Sequence, residues 1–297
     1  MRAPLRFGLL LALALLAPIA AAQTIAFSFD DGFDPRVQPE AAKWNAQMLS
    51  ALERAGVKAA YFPAGRFVDS PEGLALVKAW GDAGHVIGNH TYSHADLDET
   101  KLEDYLADVA RADTLLKGMP NFRPRLRFPF LKEGATAEKR DGVRNWMAAN
   151  GYQPAPVSIV TSDWYFNQRF TDWAKTHPRG DTEAFHTAYL AHVWHTAAYS
   201  EALARETLGR SPAHVMLLHA NRINALYLPE IIAMFRARGW TIVAADTAFA
   251  DPLYKQLPQA LPAGNGILGQ LAKDAGRAPP AAPYEDHGKA ALDAWGY

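Results

Sequence analysis

Two groups of polar residues in this chain have the types and spacing of a metal-dependent hydrolytic site. Asp30 and Asp31 close an apolar segment that begins at Thr24, and His90 and His94 lie four positions apart further along the chain. Zinc and similar metals in hydrolytic sites take three protein ligands and leave one position for water. One Asp and the two His residues supply that set, and the second Asp is then free to act as a base. The residues alone do not say which Asp has which role.

Further residues with suitable chemistry follow other strand-like segments. His219, after Val215, is a candidate general acid, with a hydrogen-bonded core histidine as the alternative. Arg127 can pair with a carboxylate and keep it ionised, although a surface arginine before a proline turn is the simpler interpretation. Asp163 can orient an imidazole, and the indole of Trp164 can pack on a sugar ring.

The composition limits the classes of protein that need to be considered. With 297 residues, 49% of them hydrophobic and 21% charged, the chain is long enough for one large domain with a sizeable core or for two small domains. The formal net charge of −1 gives no electrostatic reason to expect a nucleic-acid partner. The chain has no cysteine, which excludes thiolate ligands and cysteine nucleophiles.

The first 22 residues have the pattern of a secretory signal peptide. Arg2 and Arg6 precede an apolar run over residues 7–16, and three alanines at 20–22 supply a small-residue cleavage site. The apolar run is too short to favour a retained membrane span, and an uncleaved anchor is the alternative. We therefore expect an exported protein, periplasmic or secreted, without a stable membrane span after cleavage.

Strand-like apolar segments alternate with helical ones along the rest of the chain, which indicates parallel strands and an α/β fold. Polar residues follow the strands at their carboxyl ends, where barrels place their chemistry. We expect a catalytic domain over residues 23–250, with a helical insertion at about 165–210. A loop-rich C-terminal tail, residues 251–297, is expected to be loosely packed on the domain or to trail from it. The spacing of His90 and His94 favours one face of a helical turn.

Five short motifs, taken in order, resemble those of the polysaccharide deacetylase (NodB-homology) family. The resemblance covers roughly residues 24–248 and implies a distorted (β/α) barrel that removes acetyl groups from carbohydrate with the help of a metal. The motifs are Phe29-Asp30-Asp31-Gly32, His90-Thr91-Tyr92-Ser93-His94, Arg127-Phe128-Pro129-Phe130, Asp163-Trp164 and Leu217-Leu218-His219.

The resemblance also implies a role for each matching residue. Asp30 is similar to the catalytic base and His219 to the general acid, while Arg127 would hold Asp30 and Asp163 would tune His219. The implied metal ligands are Asp31, His90 and His94, and Phe130 and Trp164 are candidates for substrate contact. The chain departs from the family pattern at Val160, where a further Asp is usual, and at Leu131, where a Gly is usual.

The leading hypothesis is therefore a metal-dependent hydrolase that removes N-acetyl groups from an amino-sugar polysaccharide or oligosaccharide. It needs one divalent metal, zinc by preference, with cobalt, nickel and manganese left open. The alternatives are an O-acetyl esterase acting on xylan or an exopolysaccharide, hydrolysis of a small non-carbohydrate amide, and a non-catalytic carbohydrate-binding relative. The sequence does not specify the polymer or the oligomeric state.

Overall fold

A computed structural model describes residues 23–280, 282, 289–290 and 292–293. The expected signal peptide lies outside the described residues. The strands are β1 Thr24–Asp31, β2 Ala60–Pro63, β3 Val86–Asn89, β4 Phe122–Leu126, β5 Lys132–Gly134, β6 Gln153–Pro154, β7 Ile159–Val160, β8 Ala213–His219, β9 Thr241–Ile242 and β10 Ala263–Gly264. The helices are α1 Ala41–Ala55, α2 Gly65–Val68, α3 Pro71–Asp82, α4 Leu102–Leu116, α5 Ala137–Ala149, α6 Asp163–Thr176, α7 Glu183–Leu208, α8 Arg222–Ala237, α9 Ala245–Phe249 and α10 Ile267–Asp274.

Eight parallel strands form the main sheet, in the order β6-β4-β3-β2-β1-β8-β7, with β9 paired to the start of β1. The sheet is curled into a half-barrel with helices around it, so the predicted α/β fold of the distorted-barrel type is confirmed. A separate antiparallel pair joins β5 to β10. The central position of β1 follows from its composition, because both faces of a parallel strand are covered and favour a continuous apolar run.

Successive side chains of β1 enter two different cores. Ile25, Phe27 and Phe29 point into the larger core, where helices α1 and α8 pack, and Ala26 points into the smaller one. This alternation follows from the two-residue period of a strand. All four side chains are fully buried, so β1 is held rigidly and its carboxyl end is a stable base for a site.

The boundaries of α8 differ from those that the sequence suggests. The sequence pattern predicts a helix over residues 228–238, whereas the helix begins at Arg222 and contains Pro229. The true start is capped by Asn221, whose side chain accepts a hydrogen bond from the backbone N–H of Asn224.

The region expected to be an insertion forms helices α6 and α7, which supply buried aromatic side chains such as Phe166, Phe185 and Tyr189 to the larger core. Of the two arrangements expected for the C-terminal tail, the structure shows the packed one up to residue 274, and the packing is closer than expected. Leu253 and Leu268 are buried in the smaller core, and β10 pairs with the domain. Among the described residues, no helix is long and apolar enough to cross a membrane.

Candidate active site

The site lies at the carboxyl edge of the main sheet. Asp30 and Asp31 end β1, His90 directly follows β3, and His219 is the last residue of β8. The strands β1 and β8 are hydrogen-bonded in parallel with Asp30 opposite His219. Because parallel strands end at the same edge, residues that are far apart in the sequence meet there.

Asp31, His90 and His94 form a group whose ligand atoms all lie within 4.8 Å of one another. Asp31 Oδ1 is 3.5 Å from Nε2 of His90 and 3.2 Å from Nε2 of His94. This oxygen is buried and makes no hydrogen bond. Burial raises the pKa of Asp31, but the two imidazoles and the charge of His219 outweigh that effect and hold the pKa well below its usual range. An ionised carboxylate with two imidazoles is a donor set that suits a divalent transition metal.

His90 is oriented by a hydrogen bond on the side of its ring that faces away from Asp31. Its Nδ1 lies 2.8 Å from the backbone oxygen of Arg127, and because a carbonyl only accepts, Nδ1 carries the proton. The Nε2 lone pair is then directed toward Asp31, which is the arrangement that metal-bound histidines use.

The segment that carries both histidines is not a helical turn, contrary to the expectation from their spacing. Residues 90–94 form a bend in which Thr91 and His94 have left-handed backbones, with φ of 61° and 59°. Asn89 Oδ1 accepts from the N–H of Thr91. Asp108, on α4, accepts from the N–H groups of Tyr92 and Ser93 at 3.0 and 2.9 Å. The bend is therefore shaped by side-chain hydrogen bonds and not by helical ones.

Asp30 lies beside this group and is paired with Arg127. Nη1 of the guanidinium is 2.9 and 3.1 Å from the two carboxylate oxygens, and Asp30 and Arg127 are 2% and 1% exposed. Nη2 of Arg127 donates to Ser28 Oγ, and Nε donates to the backbone oxygen of Ala155. The guanidinium compensates the buried carboxylate and fixes its orientation.

His219 is paired with Asp163 in the same way. Its Nδ1 lies 2.7 Å from Asp163 Oδ1, which leaves Nε2 as the free ring nitrogen. The fully buried Asp163 also accepts from the side chains of Asn221 and Asn224. Burial lowers the pKa of His219, but Asp163 and the charges of Asp31 and Asp30 outweigh burial and raise the pKa to about 10. The imidazole is thus protonated at neutral pH.

A groove of about 780 Å³ opens over these groups. Phe130 and Trp164 stand on its rim with more than half of each side chain exposed, as contact with a ring-shaped ligand requires. The groove is lined by Asp30, Asp31, His90, His94, Phe130, Leu131, Val160, Ser162, Trp164, Leu217, His219 and Asn265. The structure therefore brings all nine candidate residues of the sequence analysis to one site, with Arg127 and Asp163 buried behind the groove.

Left-handed backbone is concentrated around the groove. Of the eight non-glycine residues with positive φ in the described part of the chain, Thr91 lies in the histidine bend and six line the groove. Those six are Asp31, His94, Phe130, Leu131, Ser162 and Asn265. Such conformations persist only where the surrounding structure enforces them, and they are typical of functional sites.

Several residues that support the site are not identified by sequence reasoning. Ser28, Asn89 and Asp108 act through hydrogen bonds to the residues described above, and nothing in their local sequence indicates those distant partners. Asn221 could have been identified from the sequence as an N-cap candidate, because Asn is a preferred residue at that position. Nothing in the local sequence indicates the hydrogen bond from Asn224 to Asp163.

The comparisons with known proteins agree with the motifs and the geometry. Residues 19–154 match the family model described as polysaccharide deacetylase, so the resemblance that the motifs indicate is confirmed over that part of the chain. The match includes Asp30, Asp31, His90, His94 and Arg127. The segments that carry Asp163 and His219 lie beyond it.

Two curated relatives and one solved structure illustrate the likeness. The chain is 28% identical over 141 residues to a peptidoglycan-N-acetylglucosamine deacetylase of Bacillus cereus, an alignment that covers 47% of this chain and 46% of that protein. It is 26% identical over 229 residues to the peptidoglycan-N-acetylmuramic acid deacetylase PdaA of Bacillus subtilis, covering 75% and 70%. The crystal structure of the polysaccharide deacetylase Bc1974 from Bacillus cereus superimposes with a TM-score of 0.54 at 21% identity, covering 75% and 91%, which shows the shared fold. The chain thus spans about half the length of the first relative and more than two thirds of the second.

Proposed function

We propose that the protein is an exported, metal-dependent hydrolase that removes N-acetyl groups from an amino-sugar polysaccharide or oligosaccharide. The observation that carries this proposal is the convergence, at one groove, of three side chains suited to holding a metal with the Asp30–Arg127 and His219–Asp163 pairs. The two relatives described above, which are named as deacetylases of peptidoglycan, support the same substrate class.

Asp31, His90 and His94 would hold a divalent metal, with zinc as the first choice. The unpartnered, ionised oxygen of Asp31 beside two imidazole nitrogens fits such an ion. The ion would polarise the acyl carbonyl and lower the pKa of water toward neutrality. Cobalt, nickel and manganese accept the same donors.

The remaining residues divide the proton transfers. The carboxylate of Asp30, held by Arg127, takes a proton from the water that attacks the acetyl carbonyl carbon. The protonated Nε2 of His219, supported by Asp163, gives its proton to the sugar nitrogen as the carbon–nitrogen bond breaks. The products are acetate and the free amino sugar, and the exposed rings of Phe130 and Trp164 hold the sugar at the rim.

Two substitutions test the assignment of base and ligand. Asp30→Asn is expected to lower kcat by about 10²–10⁴-fold, the usual contribution of a positioned base, while the bound metal stays near one per chain. His94→Ala is expected to weaken metal binding by more than the roughly 10–100-fold that loss of an outer hydrogen-bond partner causes. Acetate release and metal analysis measure both, and Asp172→Asn, an exposed carboxylate on α6, is the matched control. Full activity in Asp30→Asn would overturn the assignment of the base.

The substrate is tested by acetate release from chitin oligomers, peptidoglycan and acetylxylan with defined metals added. Release from the first two supports the proposal. Release from acetylxylan alone would replace the amidase with an O-acetyl esterase. An ester leaving group depends less on protonation than an amine does, so His219→Ala would then cause only a mild defect. Binding without acetate release from any substrate would indicate the non-catalytic relative.

A further inference from the structure

The groove has a wall that lies outside the region matched by the family model. Asn265, in the C-terminal segment 262–267, lines the same groove as Asp30 and His219. This segment defines one side of the opening beside Phe130 and Leu131.

The segment is held tightly against the loop that carries Phe130. The backbone N–H of Asn265 donates to the oxygen of Leu131 at 2.9 Å. A Cβ on Gly264 would come within 1.9 Å of that same oxygen, so only glycine permits this approach. On the other side, the buried side-chain amide of Gln270 donates to the backbone oxygens of Pro262 and Gly264. The position of Asn265 in the groove is therefore fixed by the fold.

The side chain of Asn265 is exposed and makes no hydrogen bond to any described residue, although its backbone is well anchored. An amide offers two N–H donors and an oxygen acceptor, which match sugar hydroxyl and acetamido groups. Asn tolerates the left-handed φ of 62° found here, so the residue type alone has a purely conformational explanation. An experiment must separate the side chain from the backbone conformation.

A second cavity of about 160 Å³ adjoins the groove at this point, and Val160 and Asn265 line both. Gln270 also lines it, and its Oε1 atom is buried without a hydrogen-bond partner. Open space thus continues past the catalytic groups toward the C-terminal segment. A ligand that extends along the groove in this direction would meet Asn265.

We propose that Asn265 binds the sugar unit next to the one that is deacetylated, by hydrogen bonds from its side-chain amide to a hydroxyl or acetamido group. This inference rests on the proposed function, because it takes an amino-sugar oligomer as the ligand. It makes the C-terminal segment a determinant of substrate length.

The test uses Asn265→Gly, which removes the amide but keeps a residue suited to the left-handed backbone. The matched control is Asn121→Gly, the same change at a φ of 59°, in the turn before β4. Binding is measured calorimetrically in the Asp30→Asn background, with N-acetylglucosamine oligomers of one to five units and with muropeptides. Asn265→Gly is expected to weaken binding of the longer ligands roughly three- to tenfold, the effect of one hydrogen bond, and to leave the monomer unchanged.

The outcomes separate this inference from the proposed function. If Asn265→Gly binds the long ligands as tightly as the Asp30→Asn protein in which it is made, the inference on Asn265 is overturned and the proposed function is not. An equal loss of affinity for the monomer and for the oligomers would have the same consequence. If the parent binds none of these ligands and the wild-type protein releases no acetate from them, the proposed function fails, and the inference fails with it.

Discussion

At the scale of single residues, Asp30 and His219, the two groups proposed to transfer protons, are each paired with a buried partner of opposite charge. Arg127 holds Asp30 at 2.9 Å and Asp163 holds His219 at 2.7 Å, and three of the four side chains are at most 3% exposed. Burying an ion pair costs desolvation energy that can offset the attraction between the two charges. The presence of these pairs is therefore weak evidence that they stabilise the folded protein. In each pair one side chain lines the groove and its partner lies behind it, an arrangement suited to orienting the side chain that faces the groove.

The Asp163–His219 pair leads to a prediction on pH dependence. Asp163 raises the pKa of His219 to about 10, so the imidazole carries its proton until the pH rises toward that value. Asp163→Asn removes the negative charge and lowers the pKa, so the acid loses its proton at lower pH. We expect the alkaline limb of the pH profile of kcat/KM to move down by at least about one pH unit. An unchanged alkaline limb would show that another group is the acid.

At the scale of elements, the helix α4 controls the bend that carries both histidines. Its Asp108 accepts hydrogen bonds from the backbone N–H groups of Tyr92 and Ser93. Asn89, at the end of β3, accepts a hydrogen bond from the backbone N–H of Thr91. Thr91 is β-branched, for which a left-handed backbone is a true outlier, so the bend depends on these hydrogen bonds. The distance between His90 and His94 is thus set by a helix that contributes no ligand.

We therefore expect Asp108→Ala to weaken metal binding without removing any ligand. Loss of an outer partner typically costs about 10–100-fold in metal affinity, which a zinc titration of the metal-free protein would measure. Asp104→Ala is the matched control, because Asp104 is exposed one turn earlier on α4. Equal affinities in the two variants would show that the bend keeps its shape without Asp108.

At the scale of the whole molecule, the C-terminal part closes the fold around the site. The helix α10 packs on α7, β10 pairs with β5, and the smaller core includes residues from both ends of the described chain. The sequence of this part is rich in Pro, Gly and Ala, and it predicts a loose tail because its few apolar residues have no clear period. Its order comes from contacts with segments more than a hundred residues earlier.

Two glycine substitutions test how much the domain depends on this docking. Gly264→Ala places a Cβ against the backbone oxygen of Leu131, which cannot move aside like a flexible side chain. We expect a loss of at least about 2 kcal/mol in the free energy of unfolding, or roughly 5 °C in Tm. Gly269→Ala, in α10, meets nothing within 4 Å and should stabilise the protein by up to about 1 kcal/mol. Calorimetric unfolding of both variants measures the two effects. Similar Tm values for Gly264→Ala and Gly269→Ala would contradict the conclusion that close packing of the C-terminal segment stabilises the domain.

The sequence by itself determined the chemical types at the site and the order in which they occur. The strand-end positions of Asp30, Asp31, His90 and His219 followed from apolar segments, because strand patterning is a local property of the chain. The fold class followed as well, since alternating strands and helices admit few arrangements.

The residues alone do not decide which of those groups meet: the family resemblance implies the two ion pairs, and the tertiary structure forms them. The pairing of Asp30 with Arg127 joins residues 97 positions apart, and that of Asp163 with His219 joins residues 56 apart. The non-helical bend at His90 and the placement of Asn265 in the groove depend likewise on distant hydrogen bonds. Local propensity acts over a few residues, whereas these contacts form when packing brings separate segments together. For that reason the chemical types at the site were predictable from the sequence, and the shape of the groove was not.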